Sequence, residues 1–150
     1  MLTPNGIAAA SGIGLYATDT LGGVIVVIRE LDGHFETSVV AKNMLGVNGV
    51  AYAGAARKLY VSNSLSQEVT SFAVAADGSL SQSKLEWTAG GVAQLDGMVV
   101  DELGHAYVTG YGQGEVLQLP AGTVVAKVAN PASNAAKWQP ELDPIVGVAN

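Results

Sequence analysis

The chain contains no cysteine. That excludes disulfides, zinc–thiolate centres and thiol nucleophiles, and it leaves the redox compartment open. Charge is scarce too: 13% of the 150 residues are charged, with a formal net charge of −6. The basic residues Arg29, Lys42, Arg57, Lys58, Lys84, Lys127 and Lys137 are scattered along the chain. Phosphate binding needs clustered Lys and Arg, so neither nucleic acid nor an anionic membrane is an expected partner. No apolar run approaches the roughly 20 residues that span a bilayer. The opening Met1-Leu2-Thr3-Pro4-Asn5-Gly6 lacks the basic-then-apolar order of a signal peptide, so the default expectation is a cytoplasmic protein. There is no Gly-x-Ser-x-Gly elbow to support a serine hydrolase. His34 and His105 each follow a glycine with no second histidine at ligand spacing, and they are expected in exposed turns.

What is present is apolar and rich in glycine. Hydrophobic residues make up 49% of the chain, mean hydropathy is +0.31, and there are 19 glycines without a collagen period. Such a chain buries a core, and its glycines suit many short strands joined by tight turns.

The strongest signal is an internal repeat. Asn5-Gly6-Ile7-Ala8, Asn48-Gly49-Val50-Ala51 and Asp96-Gly97-Met98-Val99 are equivalent, and each precedes a matching strand centred on Tyr16, Tyr60 and Tyr107. The units start at residues 5, 48 and 96, hence 43 and 48 residues apart. Third strands are expected at residues 24–30, 68–74 and 115–119, and fourth strands at 37–41, 84–88 and 123–128, from their aliphatic, period-two character. Asp32-Gly33 and Asp77-Gly78 mark hairpin turns between them.

Four strands in 40–50 residues make one propeller blade. The expected fold is therefore all-β: three four-stranded β-propeller blades at about residues 3–45, 46–93 and 94–130, half of a six-bladed ring. Residues 131–137, with Asn134, resemble the start of a fourth blade, and residues 138–150 read as an irregular tail. Three blades cannot close a ring, since propellers have about four to eight. A homodimer related by a two-fold axis would close it, with residues 143–150 crossing into the partner or capping an edge.

In a propeller the first strand of each blade lines the central channel. Asn5, Asn48 and Asp96 hold the same place in three successive first strands, where their side-chain oxygens could converge on a hard divalent cation. A metal there could acidify water, with Asp96 as ligand or proton acceptor. The same dipeptides also serve as plain turns, Asn-Gly and Asp-Gly being chosen for positive φ. Gly110-Tyr111-Gly112-Gln113-Gly114 has the wrong spacing for a nucleotide loop and precedes a strand, so it reads as a hairpin. Asp101-Glu102 reads as a solvated turn, and Trp87 and Trp138 as packing or interface residues.

The order Val47-Asn48-Gly49-Val50-Ala51, Lys58-Leu59-Tyr60-Val61-Ser62-Asn63, Asp77-Gly78-Ser79-Leu80, Leu95-Asp96-Gly97-Met98-Val99-Val100-Asp101, Gly104-His105-Ala106-Tyr107-Val108 and Gly114-Glu115-Val116 resembles the SMP-30/gluconolactonase (regucalcin) family. The similarity covers most of residues 3–137, about the second half of a family member. It implies a six-bladed propeller that hydrolyses a sugar lactone with one divalent metal, calcium, zinc or manganese. Asn48 and Asp96 would be metal ligands, Asp96 the base that activates water, and Asn5 a substrate contact. Two features depart from the family. Its ligating glutamate has no counterpart here, and Thr3 stands near the place of its substrate-contacting arginine. Metal-free cyclases share the propeller fold, so the fold by itself does not choose between a lactonase, a cyclase-like pocket and a non-catalytic binding or assembly module.

Overall fold

The structure is a computed structural model, and it describes residues 2–90, 94–111, 114–119 and 123–127. These form three four-stranded antiparallel sheets, each a simple meander. The first blade comprises β1 (Pro4–Ala10), β2 (Gly14–Asp19), β3 (Val24–Leu31) and β4 (His34–Ala41). The second comprises β5 (Val47–Ala53), β6 (Lys58–Asn63), β7 (Glu68–Val74) and β8 (Leu80–Thr88). The third comprises β9 (Gln94–Val100), β10 (Ala106–Tyr111), β11 (Glu115–Gln118) and β12 (Thr123–Lys127). All twelve expected strands are present among the described residues.

Burial falls from the inner to the outer strand of a blade. In β5 every residue but Tyr52 is buried, whereas β8 is exposed along most of its length. Inner strands lie between neighbouring blades and can be apolar on both faces. Outer strands meet water and carry polar groups such as Lys84 and Glu86, which discourage edge pairing. This explains where the outer strands had been read too short. β4 begins at His34 and β8 at Leu80, because the extra residues are polar or exposed and carry no apolar alternation. His34 is thus the first residue of a strand, although it is exposed as expected. The turn before it is the two-residue Asp32-Gly33 hairpin, with φ of 51° and 80°, both in the left-handed region that such a turn requires.

Two apolar clusters join the blades. Tyr16, Ile25 and Val27 of the first blade pack with Val47, Val50, Leu59 and Val61 of the second. Val69 of the second packs with Leu95, Val108 and Leu117 of the third, where Trp87 adds its half-buried ring between the blades. Polar clamps reinforce the first junction: the buried Tyr16 hydroxyl donates to Gly78 O at 2.8 Å, and the Arg29 guanidinium donates to Asp77 O. The proposed fourth-blade start at Asn134, the tail and Trp138 lie outside the described residues.

Candidate functional site at the inner strands

Each inner strand carries a β-bulge at its Asx-Gly step. The ladder slips between Pro4 and Ile7 in β1, between Val47 and Val50 in β5, and between Leu95 and Met98 in β9. A bulge frees peptide groups from the ladder and re-aims side chains, and bulges are common beside active sites. A hydroxyl from the second strand takes over the freed groups. Thr18 Oγ1 accepts the Gly6 N–H at 2.9 Å, and Ser62 Oγ accepts that of Gly49 at 2.8 Å. Each hydroxyl then donates across to the next blade, Thr18 to Asn48 O and Ser62 to Asp96 O. Thr109 is the third member, each lying two residues after the repeat tyrosine. Sequence reading passed over this series, although its spacing was visible.

The bulged strands border a cleft of about 560 Å³. Asn5 and Asp96 line it, together with Gly49, Tyr52, Met98 and Thr109. Asn48 sits in the strand between them but is 9% exposed and is not part of the cleft wall. The structure thus brings Asn5 and Asp96 to one cavity and places Asn48 beneath its surface.

The three equivalent side chains differ in their partners. Asn5 is exposed, and its Nδ2 donates to Thr20 Oγ1 at 3.1 Å. Asn48 repeats this inside the protein, donating from Nδ2 to Ser64 Oγ at 2.9 Å. Ser64 gives its own proton to Leu95 O at 2.5 Å, so it can only accept from Asn48. That fixes the amide with its NH2 toward Ser64 and leaves Asn48 Oδ1 buried without a hydrogen-bond partner. An unsatisfied buried acceptor costs about 1–3 kcal/mol. Asp96 cannot make the Asn contact, having no N–H, and no described residue hydrogen-bonds or ion-pairs with its half-buried carboxylate.

Asp19, Glu86 and Asp101 have structural roles. Burial would raise the pKa of Asp19, but the N–H groups of Gly22, Thr3 and Leu2 and the Thr3 hydroxyl hold it down at about 2. Asp19 closes the turn after β2 and fastens the start of the chain to it. Burial likewise acts to raise Glu86, yet Lys84, the Ser71 hydroxyl and Lys58 bring it to about 2. Asp101, read as a solvated turn, is more organised than that. Its burial is outweighed by the His105 N–H and ring and the Tyr107 hydroxyl, which lower its pKa. His105 is exposed and paired with Asp101, and His34 with Glu36. Among the described residues no three His, Cys, Asp or Glu side chains gather at a metal-binding distance. The described residues include no helix long and apolar enough to cross a membrane, which does not bear on β-barrels.

The sequence profile of the SMP-30/Gluconolactonase/LRE-like region matches residues 17–138. The chain belongs to this family. No curated protein sequence matches it at a significant level. Among solved structures, a gluconolactonase from Xanthomonas campestris is similar at 23% identity and a TM-score of 0.66, over 87% of this chain and 48% of that one. A calcium-binding protein, regucalcin, from Agrobacterium tumefaciens is similar at 15% identity and a TM-score of 0.65, over 82% of this chain and 44% of that one. A luciferin-regenerating enzyme matches at 17% identity and a TM-score of 0.66, over 83% and 45% of the two chains. The chain therefore spans less than half the length of these family propellers, and the likeness establishes the fold. It agrees with the three blades expected from the repeat.

Proposed function

We propose a divalent-cation site of the lactone-hydrolysing kind at the inner strands, with Asp96 on the cleft wall and the buried Asn48 behind it as protein ligands. The observation that supports this reading is the buried, unpartnered Asn48 Oδ1, held in place by the Ser64 contact and one strand away from the unengaged Asp96 carboxylate. An amide oxygen and a carboxylate suit a hard cation, calcium or manganese ahead of zinc. Two such donors leave most of a coordination shell to water and substrate. A cation bound there supplies Lewis acidity toward a lactone carbonyl and toward water. Asp96 accepts a proton from water as the water oxygen bonds to the carbonyl carbon. The ring C–O bond then breaks, and the departing oxygen takes up a proton to give the hydroxy acid. Asn5, exposed at the cleft wall, offers its amide oxygen to the substrate while Thr20 orients the group.

Calorimetric titration with calcium, manganese and zinc chlorides, alongside proton release from a sugar lactone, tests this. Asp96→Ala should abolish both binding and hydrolysis. Asp96→Asn keeps an oxygen ligand and removes the base, so it should retain metal while hydrolysis drops roughly 100-fold or more. Absence of metal binding in the unmodified chain would overturn the reading in favour of a metal-free binding or assembly module.

A further inference from the structure

Two serines of β6 each reach both strands that carry the candidate ligands. Ser62 Oγ accepts the Gly49 N–H at 2.8 Å and donates to Asp96 O at 2.5 Å. Ser64 Oγ accepts from Asn48 Nδ2 at 2.9 Å and donates to Leu95 O at 2.5 Å. Ser62 thus joins one backbone to the other. Ser64 joins the Asn48 side chain itself to the carbonyl just before Asp96. All four contacts lie among β5, β6 and β9, at the junction of the second and third blades.

A hydroxyl has one proton to give and lone pairs with which to accept, so this double contact has a direction. With its proton committed to Leu95 O, Ser64 can take only an N–H from Asn48, and the amide oxygen must face away from it. Leu95 is fully buried and Asn48 is 9% exposed, so water competes weakly for either partner. The first blade has the amide contact without the second link. Asn5 Nδ2 donates to Thr20 Oγ1 at 3.1 Å. Among the described residues, however, the Thr20 hydroxyl makes no bond to Val47 O, the counterpart of Leu95 O. The coupled form occurs where the next inner strand carries Asp96.

We infer that Ser64 is a positioning residue for the proposed cation site: one hydroxyl fixes which way the Asn48 amide faces and ties that amide to the strand of Asp96. This rests on the cation reading above. Groups that hold a ligand from behind set its orientation, and losing one typically costs about 10–100-fold in metal affinity. Without the hydroxyl, the Asn48 amide is free to turn its NH2 group toward the cation, and Leu95 O loses this donor. A threonine keeps the hydroxyl, and Thr20 shows that the chain accepts threonine in the equivalent place.

The test compares Ser64→Ala and Ser64→Thr with the unmodified chain, and Ser71→Ala serves as control. Ser71 is a buried serine of the same blade whose hydroxyl donates to Glu86 Oε1 at 2.7 Å, away from the site. The first readout needs no metal: hydrogen exchange of the Asn48 side-chain NH2, followed by NMR. Exchange should be slow in the unmodified chain, Ser64→Thr and Ser71→Ala, and about tenfold or more faster in Ser64→Ala. The second readout is calorimetric titration with manganese chloride. Ser64→Ala should bind about 10–100-fold more weakly, while Ser64→Thr and Ser71→Ala stay within about threefold of the unmodified chain. A freely exchanging Asn48 amide in the unmodified chain would overturn the inference, whether or not Ser64→Ala folds. Equal manganese affinity in Ser64→Ala and Ser71→Ala would also overturn it, as would a loss in Ser64→Thr as large as in Ser64→Ala, and both results leave the cation reading standing. An unmodified chain that binds neither manganese nor calcium would remove the cation reading itself, and the positioning role with it.

Discussion

Gly49 and Gly97 occupy equivalent places in successive blades and face opposite conditions. A Cβ on the first would stand 2.3 Å from Asp96 O, whereas among the described residues a Cβ on the second would meet Thr109 Oγ1 at an ordinary 3.7 Å. Among the described residues, the same backbone step is thus a close contact between blades at Gly49 and an ordinary contact within its own blade at Gly97. The difference shows that a blade's inner strand is stabilised chiefly by its neighbour. β5, flanked on both sides, buries almost every residue, while the sequence-equivalent β1 does not.

The largest break in this comparison should come from Gly49→Ala. Its Cβ would stand 2.3 Å from a backbone oxygen that cannot rotate away. The expected loss is about 3 kcal/mol or more, at the upper end of overpacking costs, in denaturant titration. Gly97→Ala, whose Cβ would meet Thr109 Oγ1 at 3.7 Å among the described residues, should cost less than about 1 kcal/mol, roughly an ordinary glycine replacement. Equal effects at the two positions would remove the distinction. Next in size is Ser62→Ala, which strips the Gly49 N–H and the Asp96 carbonyl of a shared partner in a buried place. About 1–3 kcal/mol is expected, against roughly a few tenths for Thr109→Val, the gap being readable by chemical denaturation.

The smallest effects are those of pH. Asp19 and Glu86 have folded-state pKa values lowered to about 2 from their ordinary values of 3.8 and 4.5. The stability that each contributes is fully present above its ordinary value and is lost as pH falls toward about 2. Asp19 belongs to the first blade and Glu86 to the second, so Asp19→Asn and Glu86→Gln should each flatten the acid side of the stability profile. Thermal melts between pH 5 and pH 2 that keep their full slope in both variants would remove these carboxylates from the account.

Much of the fold was legible because a propeller repeats. Three Asx-Gly steps and three Tyr-centred strands at near-constant spacing located all the inner strands, and alternating apolar residues located the third strands. The outer strands β4 and β8 were read short because edge strands lie in water, where polar residues serve and no period is imposed. The site was less legible. Asn5, Asn48 and Asp96 are equal in sequence, yet Asn5 is exposed, Asn48 lies buried beneath the cleft wall and Asp96 lines the cleft. Thr18, Ser62 and Thr109 were overlooked because a strand hydroxyl looks ordinary until the bulge opposite it is seen.

The sequence by itself determined the unit, its number and its register, since local patterning and turn chemistry act within about 45 residues of chain. It also placed an oxygen-bearing side chain at the head of every inner strand. The tertiary structure decided which of those oxygens is satisfied. Whether an Asx carbonyl meets a hydroxyl, or an amide oxygen is stranded without a partner, depends on the neighbouring blade some 30–60 residues away, as in Thr18 to Asn48 and Tyr16 to Gly78. Those contacts arise only once the sheets stack, and the same stacking presses Gly6 and Gly49 onto the inner strand of the next blade.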